Sequence, residues 1–151
     1  MEIYNGCEFL ICQPLLGSNC GTDIDLAAHF TIIRSRGQCL YGTAIEDIFA
    51  PVPKEDYMDS IWNDIAKAEE EIEDNTMYLT LNLARVLAYK EEGLVISKKE
   101  GGDWALGHIP AQYHPLILNA LAEYAESKNI VYDSKLAKQY ASYMLDRINR
   151  S

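Results

Sequence analysis

Long apolar runs and basic charge are both scarce in this chain of 151 residues. No apolar stretch approaches the roughly 20 residues that a membrane-spanning helix needs, and residues 1–6 show no signal-peptide pattern. With 13 Lys and Arg against 23 Asp and Glu, the net charge is −10, which repels nucleic acid phosphates. We therefore expect a cytoplasmic protein whose partners include neither membrane nor nucleic acid.

The chain also has few of the residues from which metal and nucleophile sites are built. It contains four cysteines and three histidines, without Cys-x-x-Cys spacing or a zinc-binding pattern. It has no Walker loop, no Gly-x-Gly-x-x-Gly and no Ser/His/Asp arrangement. We therefore expect free thiols, no metal site and no catalytic residue.

One segment comes close to a nucleotidyltransferase motif. Gly17 and Ser18, followed by Asp23 and Asp25, are similar to the Gly-Ser turn and Asp-x-Asp pair that hold triphosphate and Mg²⁺. Only residues 19–22 separate the two parts, too few for a turn and carboxylates on neighbouring strands. The same acids suit a helix start, where they favour the helix dipole. We interpret them as helix-start residues.

Helical periodicity dominates from residue 23 onward. Five apolar residues in segment 54–72 recur at spacings of three and four, which places them on one buried face. These residues are Tyr57, Ile61, Ile65, Ala68 and Ile72. Residues 75–91, with Asn75 as expected N-cap, are apolar nearly all round, which is typical of a helix at the centre of a bundle.

Start and stop signals delimit the later helices. Ser97 and Glu100 form a capping box, Pro110 stops that helix, and Asp133 caps the last one. The sequence thus predicts an all-α bundle of about five to six helices over residues 23–151. A short irregular or extended N-terminal arm is expected at residues 1–22.

Several motifs, in this order, resemble the C-terminal helical domain of the streptomycin/spectinomycin adenylyltransferases, an aminoglycoside adenylyltransferase family. They are Asp23-Ile24-Asp25-Leu26-Ala27, Phe49-Ala50-Pro51-Val52-Pro53, Leu81-Asn82-Leu83-Ala84-Arg85, Ser97-Lys98, Asp103-Trp104-Ala105 and Pro110-Ala111-Gln112-Tyr113. The resemblance covers about residues 23–148. It implies that the family's N-terminal nucleotidyltransferase domain is missing here, and that residues 1–22 are a remnant of its exit segment.

The resemblance also implies candidate nucleotide-binding residues, namely Asp25, Lys98 and Tyr124. Lys98 is the expected phosphate partner because an ammonium is a compact point charge for a polyanion. ATP and Mg²⁺ are implied by the resemblance only. Because the family's metal carboxylates and base belong to the missing domain, we expect no AMP transfer by this chain alone.

Acidic and polar residues at the start of the 75–91 helix occupy the family's drug-binding positions. The candidate substrate-binding residues are Glu71, Glu73, Asp74, Asn75 and Tyr78. Carboxylates suit aminoglycosides because these ligands are polyamines. Asn75 and Tyr78 differ from the Asp and His that the family leads us to expect.

Each candidate has a structural alternative. Lys98 can be a solvated surface lysine, Tyr124 a core residue with its hydroxyl at the surface, and Asp25 a helix-start residue. The acidic run 69–74 can be a solvated helix end. For the whole chain, the alternatives to an inactive ligand-binding domain are an interaction bundle that forms a homodimer and a subunit that completes a nucleotidyltransferase in trans.

Overall fold

The structure is a computed structural model that describes residues 10–11, 21–127 and 129–150. Over these residues it contains eight α-helices, one 3₁₀ turn at Ala111–Tyr113 and a two-stranded antiparallel pair, β1 (Leu10–Ile11) with β2 (Gly21–Thr22). The helices are α1 (Asp25–Arg36), α2 (Ile45–Ile48), α3 (Lys54–Asn63), α4 (Ala68–Glu71), α5 (Thr76–Glu92), α6 (Lys98–His108), α7 (His114–Glu126) and α8 (Ser134–Arg150). Six of the eight have ten or more residues, so the predicted all-α class is confirmed.

Much of the predicted N-terminal arm lies outside the described residues. Gly17 and Ser18 of the near-motif lie there, as do Cys7, Cys12 and Cys20. Cys39 is described, and it is an exposed thiol outside any disulfide, as predicted. The division of the chain at residue 22 stays a prediction.

The chain forms two compact units, Met1–Asn63 and Asp64–Ser151. In the first unit, the Asp23 side chain accepts a hydrogen bond at 3.0 Å from the backbone N–H of Asp25, the first residue of α1. Phe30 of α1 packs on Phe49 with ring centroids 5.2 Å apart. Arg34, one turn later, donates to the Phe49 carbonyl. The first motif and the Phe-x-Pro-Val-Pro motif thus meet within this unit.

The apolar stripe of segment 54–72 is buried as predicted, although the helix is interrupted. Helix α3 ends at Asn63, turns occupy residues 64–67, and α4 begins at Ala68. Tyr57, Ile61, Ile65, Ala68 and Ile72 are all fully or almost fully buried. The five side chains therefore stay on one buried face, even though the turns at residues 64–67 interrupt the helical hydrogen bonds.

Helix α5 is the centre of the second unit, as its apolar composition predicted. Residues 79–88 are all buried, and α6, α7 and α8 pack around them. The buried Tyr140 hydroxyl of α8 donates to the Thr80 carbonyl at 3.0 Å. Gly93 ends α5 in the left-handed conformation, with φ of 69°, which costs a glycine little.

All three predicted capping residues lie at the start of their helices, and two of them make side-chain capping hydrogen bonds. The Ser97–Glu100 capping box is complete, and Asp133 accepts from the backbone N–H of Leu136 at the start of α8. Asn75 occupies the N-cap position of α5, but its side chain makes no capping hydrogen bond. The predicted N-cap position of Asn75 is therefore confirmed, without the side-chain hydrogen bond that a capping residue usually accepts. At the first residue of α5, Thr76 Oγ1 donates to the Ile72 carbonyl at 2.7 Å.

Two adjacent glycines let α6 approach α5 closely. A Cβ added to Gly101 would lie 3.0 Å from the Arg85 backbone nitrogen and 3.1 Å from its Cα. A Cβ on Gly102 would lie 2.8 Å from a methyl of Leu81. Because backbone atoms cannot move aside as a flexible side chain can, Gly101 sets the distance between the two helices.

This close approach predicts opposite effects of alanine at two glycines of the same helix. Gly107 has nothing within 4 Å of an added Cβ, so Gly107→Ala should stabilise the protein by about 0.5 kcal/mol through helix propensity. Gly101→Ala should destabilise the protein by about 1 kcal/mol. The steric clash of the added methyl group with the Arg85 backbone outweighs the gain in helix propensity. Urea unfolding of both variants measures the difference, and equal stabilisation by both would contradict the packing role.

Candidate functional site

A cavity of about 270 Å³ lies at the start of α5, within the second unit. Its walls are formed by Glu73, Asp74, Asn75, Thr76, Met77, Tyr78, Glu123, Ile130 and Tyr132. Four of the five candidate substrate-binding residues therefore line one space. The fifth, Glu71, is exposed on α4 and does not belong to the wall.

The part of the wall formed by α7 and the connection to α8 was not predicted from the sequence. Glu123 comes from α7, whereas Ile130 and Tyr132 come from the connection to α8. The Tyr132 hydroxyl donates to Glu123 Oε2 at 2.6 Å, and burial, followed by this hydrogen bond, raises the pKa of Tyr132. The hydroxyl therefore remains a donor that orients the Glu123 carboxylate at the cavity.

Three carboxylates give the cavity a negative potential. Glu73 pairs with Lys138 of α8, and this hydrogen bond holds the pKa of the Glu73 carboxyl below its usual value. Asp74 and Glu123 make no ion pair within the described ranges. A cationic ligand would thus compete with Lys138 at Glu73 but not at the other two.

Tyr78 belongs to the cavity and to a second group of charged residues. The Lys98 ammonium lies 4.0 Å from the centroid of the Tyr78 ring, a cation–π contact. Lys98 is partly buried, and burial, reinforced by the nearby Arg85 charge, lowers its pKa. A candidate nucleotide-binding residue and a candidate substrate-binding residue are therefore in direct contact.

A partly buried ion pair supports this contact. Arg85 Nη2 lies 2.9 Å from Asp64 Oδ2, and the Tyr78 hydroxyl donates to Asp64 Oδ1 at 3.1 Å. Neither Asp64 nor Arg85 was a predicted site residue. Arg85 did carry a signal, because an arginine within an otherwise apolar, buried helix requires a buried partner.

The other two nucleotide candidates lie at exposed positions. Tyr124 is 46% exposed on α7, next to Glu123 in sequence, so the alternative of a core tyrosine is wrong. Asp25 is exposed in the first turn of α1, in the other unit. Its role in nucleotide binding stays a prediction.

The described residues show neither a metal cluster nor a membrane-spanning helix. These residues hold no group of three His, Cys, Asp or Glu side chains arranged to bind a metal ion. Within the same ranges, no helix combines the length and the apolar character that crossing a membrane requires.

The family of the chain follows from its sequence. The family model described as "Aminoglycoside adenylyltransferase, C-terminal domain" matches residues 47–147, which include the cavity, Lys98, Arg85 and Asp64. The chain belongs to this family. The resemblance found in the sequence motifs is thereby confirmed.

Full-length relatives place the match in one half of a longer protein. An aminoglycoside (3'') (9) adenylyltransferase of Escherichia coli is 30% identical over 139 residues, covering 85% of this chain and 50% of the relative. One from Klebsiella pneumoniae is 34% identical over 111 residues, covering 68% of this chain and 40% of the relative. The chain thus spans about half the length of the curated relatives it matches.

A solved structure shares the fold. Spectinomycin adenyltransferase AAD(9) from Enterococcus faecialis, crystallised with ATP and spectinomycin, matches with a TM-score of 0.70 and 18% sequence identity. The match covers 89% of this chain and 54% of that protein. The helical arrangement described above is therefore one that a known adenylyltransferase also adopts.

The surroundings of Lys98 predict different titrations for two adjacent lysines. Burial lowers the pKa of Lys98, whereas the hydrogen bond to Asp103 raises the pKa of Lys99. As pH rises, Lys98 should lose its proton before Lys99. Side-chain NMR of selectively labelled lysines measures both titrations in one sample, and a Lys98 that titrates together with or after Lys99 would contradict the burial.

Proposed function

We propose that residues 64–151 are the ligand-binding half of an aminoglycoside nucleotidyltransferase. In this proposal the acidic cavity binds an amine-bearing aminoglycoside, and Lys98 with Arg85 binds the phosphates of ATP. The observation that carries the proposal is the position of Tyr78, which lines the cavity and lies beneath the Lys98 ammonium. The two ligands of an AMP transfer must lie side by side, as these two groups do.

The chemistry of the cavity suits a cationic ligand. Asp74 and Glu123 supply carboxylates, Asn75 supplies an amide, and Tyr78 and Tyr132 supply aromatic faces. Ammonium groups bind carboxylates through charge-assisted hydrogen bonds and aromatic faces through cation–π contacts. At about 270 Å³, the cavity is close to the roughly 300 Å³ at which pockets begin to enclose a drug-sized ligand.

The cationic group suits a polyphosphate. Lys98 is partly buried and therefore less hydrated than an exposed lysine, and Arg85 adds a second positive charge close by. The Asp64 carboxylate cancels one of the two charges, so the group keeps a net positive charge for an anion. Tyr124, exposed on α7, is a further candidate contact for the nucleotide.

Transfer of AMP in this proposal requires a nucleotidyltransferase domain in addition to residues 1–151. The family match is to a C-terminal domain, and the relatives are about twice as long as the matched region. That domain would supply the carboxylates for Mg²⁺, a metal that we assign to no residue of this chain. It can act from the same polypeptide or in trans.

A second candidate function is an interaction bundle that forms a homodimer. Ile24, Leu40, Tyr41 and Ile48 of the first unit are exposed, with Tyr41 fully so, and exposed apolar groups favour association. The homodimer, the partner in trans and the cytoplasmic location remain predictions.

Ligand titrations with matched charge variants test the binding proposal. Lys98→Ala should weaken ATP binding roughly tenfold or more, because a charge-assisted hydrogen bond contributes about 1.5–3 kcal/mol. Lys99→Ala removes the same charge from an exposed position and should change affinity by less than about twofold, since solvent screens distant charges. Calorimetric titration with ATP measures both.

The cavity is tested in the same way with spectinomycin and streptomycin. Asp74→Asn should weaken binding of the cationic drug, whereas Glu69→Gln, an exposed acid outside the cavity wall, should not. If the wild-type chain binds neither ATP nor either drug, the proposed ligand-binding function is wrong.

An AMP-transfer assay separates binding from catalysis. The 151-residue chain with ATP, Mg²⁺ and spectinomycin should release no pyrophosphate above background, because positioning by the second domain and its metal dominates such reactions. Sustained turnover by the purified chain, abolished by Lys98→Ala but not by Lys99→Ala, would contradict the need for a further domain.

A further inference from the structure

Asp64 contacts two residues of α5 next to the proposed anion site without lining the cavity. Its two oxygens have different partners, the Tyr78 hydroxyl at 3.1 Å from Oδ1 and Arg85 Nη2 at 2.9 Å from Oδ2. The Asp64 side chain is 28% exposed and the Arg85 side chain 10%. The carboxylate is absent from the cavity wall.

The two partners of Asp64, Tyr78 and Arg85, lie on one face of α5. Asn82 lies between them in the same row, four residues after Tyr78 and three before Arg85, so the three share a side of the helix. Tyr78 at one end of this row is more than one-third exposed. An exposed tyrosine ring samples several rotamers, so holding it in one of them costs conformational entropy. The hydrogen bond to Asp64 selects the rotamer whose face receives the Lys98 ammonium.

We propose that Asp64 is the positioning residue of the Lys98 anion site, acting through Tyr78 and Arg85 without touching a ligand. This inference rests on the proposed function, since it names what orders that site. Asp64 holds the Tyr78 ring beneath Lys98 and fixes the Arg85 guanidinium by an ion pair. Its position in the turn after α3 makes it independent of the capping box that begins α6.

The charge of Asp64 allows positioning to be distinguished from simple electrostatics. Removing a carboxylate makes the group more positive, so an electrostatic effect alone would tighten the binding of a polyanion. Losing the positions of Tyr78 and Arg85 would weaken it. The direction of the change therefore identifies the role of Asp64.

Two variants and one control test the proposal in the full chain. Asp64→Ala removes both contacts, and Tyr78→Phe removes only the hydroxyl while leaving the Asp64–Arg85 pair. Asp59→Ala deletes an exposed aspartate of α3 as a charge control. The readouts are the affinity for inorganic tripolyphosphate and the upfield ring-current shift of the Lys98 side-chain protons, which depends on the Tyr78 ring lying beneath them.

We expect Asp64→Ala to bind tripolyphosphate about tenfold more weakly and to lose most of the Lys98 ring-current shift. Tyr78→Phe should also reduce the Lys98 ring-current shift. If Asp64→Ala does not fold, this variant still tests whether the hydrogen bond to Asp64 orders the Tyr78 ring. Asp59→Ala should leave both readouts unchanged. Tighter tripolyphosphate binding by Asp64→Ala, or an unchanged Lys98 shift in both variants, would overturn the proposal.

The two hypotheses fail in distinguishable ways. If the wild-type chain does not bind tripolyphosphate, the proposed phosphate site is wrong, and the Lys98 shift still decides whether Asp64 orders Tyr78. If the wild-type chain binds and Asp64→Ala binds equally well with its shift intact, the phosphate site stands and the positioning role is wrong.

Discussion

The contact between α5 and α6 is the constraint on which the rest of the site depends. Gly101 lies against the backbone of Arg85, and Lys98 is one turn before Gly101 on α6. A helix pushed outward at Gly101 would carry Lys98 away from the Tyr78 ring, which lies 4.0 Å from the ammonium. The packing of two helix backbones thus sets the distance between a charge and an aromatic face.

The same helix has to satisfy two conflicting requirements. As the centre of the second unit, α5 is surrounded by other helices and is apolar along most of its length. One row of its side chains nevertheless carries a phenol, an amide and a guanidinium, and buried polar groups lower stability unless they are paired. Asp64 relieves this conflict for Arg85, although the Arg85 Nε atom is buried without a hydrogen-bond partner among the described residues.

The sequence predicted the helices because they are recorded in local patterns. The spacing of Tyr57, Ile61 and Ile65 and the Ser97 capping box are each readable within a few residues. The acidic and polar residues at the start of α5 were assigned to a ligand site only through the resemblance of the sequence motifs to a known family. The Glu123–Tyr132 wall and the Asp64–Arg85 pair could not be predicted, because each needs knowledge of which elements pack together. Asn75 shows a further limit, since its place at the N-cap could be predicted from the sequence but the absence of a side-chain capping bond could not.

The two walls of the cavity belong to parts of the fold that differ in their tolerance of sequence change. One wall is the beginning of α5, a helix held in place by the buried residues 79–88 that follow. The other includes Ile130 and Tyr132, which belong to a connection that follows Ser127 in the left-handed conformation at the end of α7. Connections accept substitution and changes of length far more readily than central helices. A change in the sequence or length of this connection would therefore reshape one wall of the cavity while the position of α5 in the second unit stays the same.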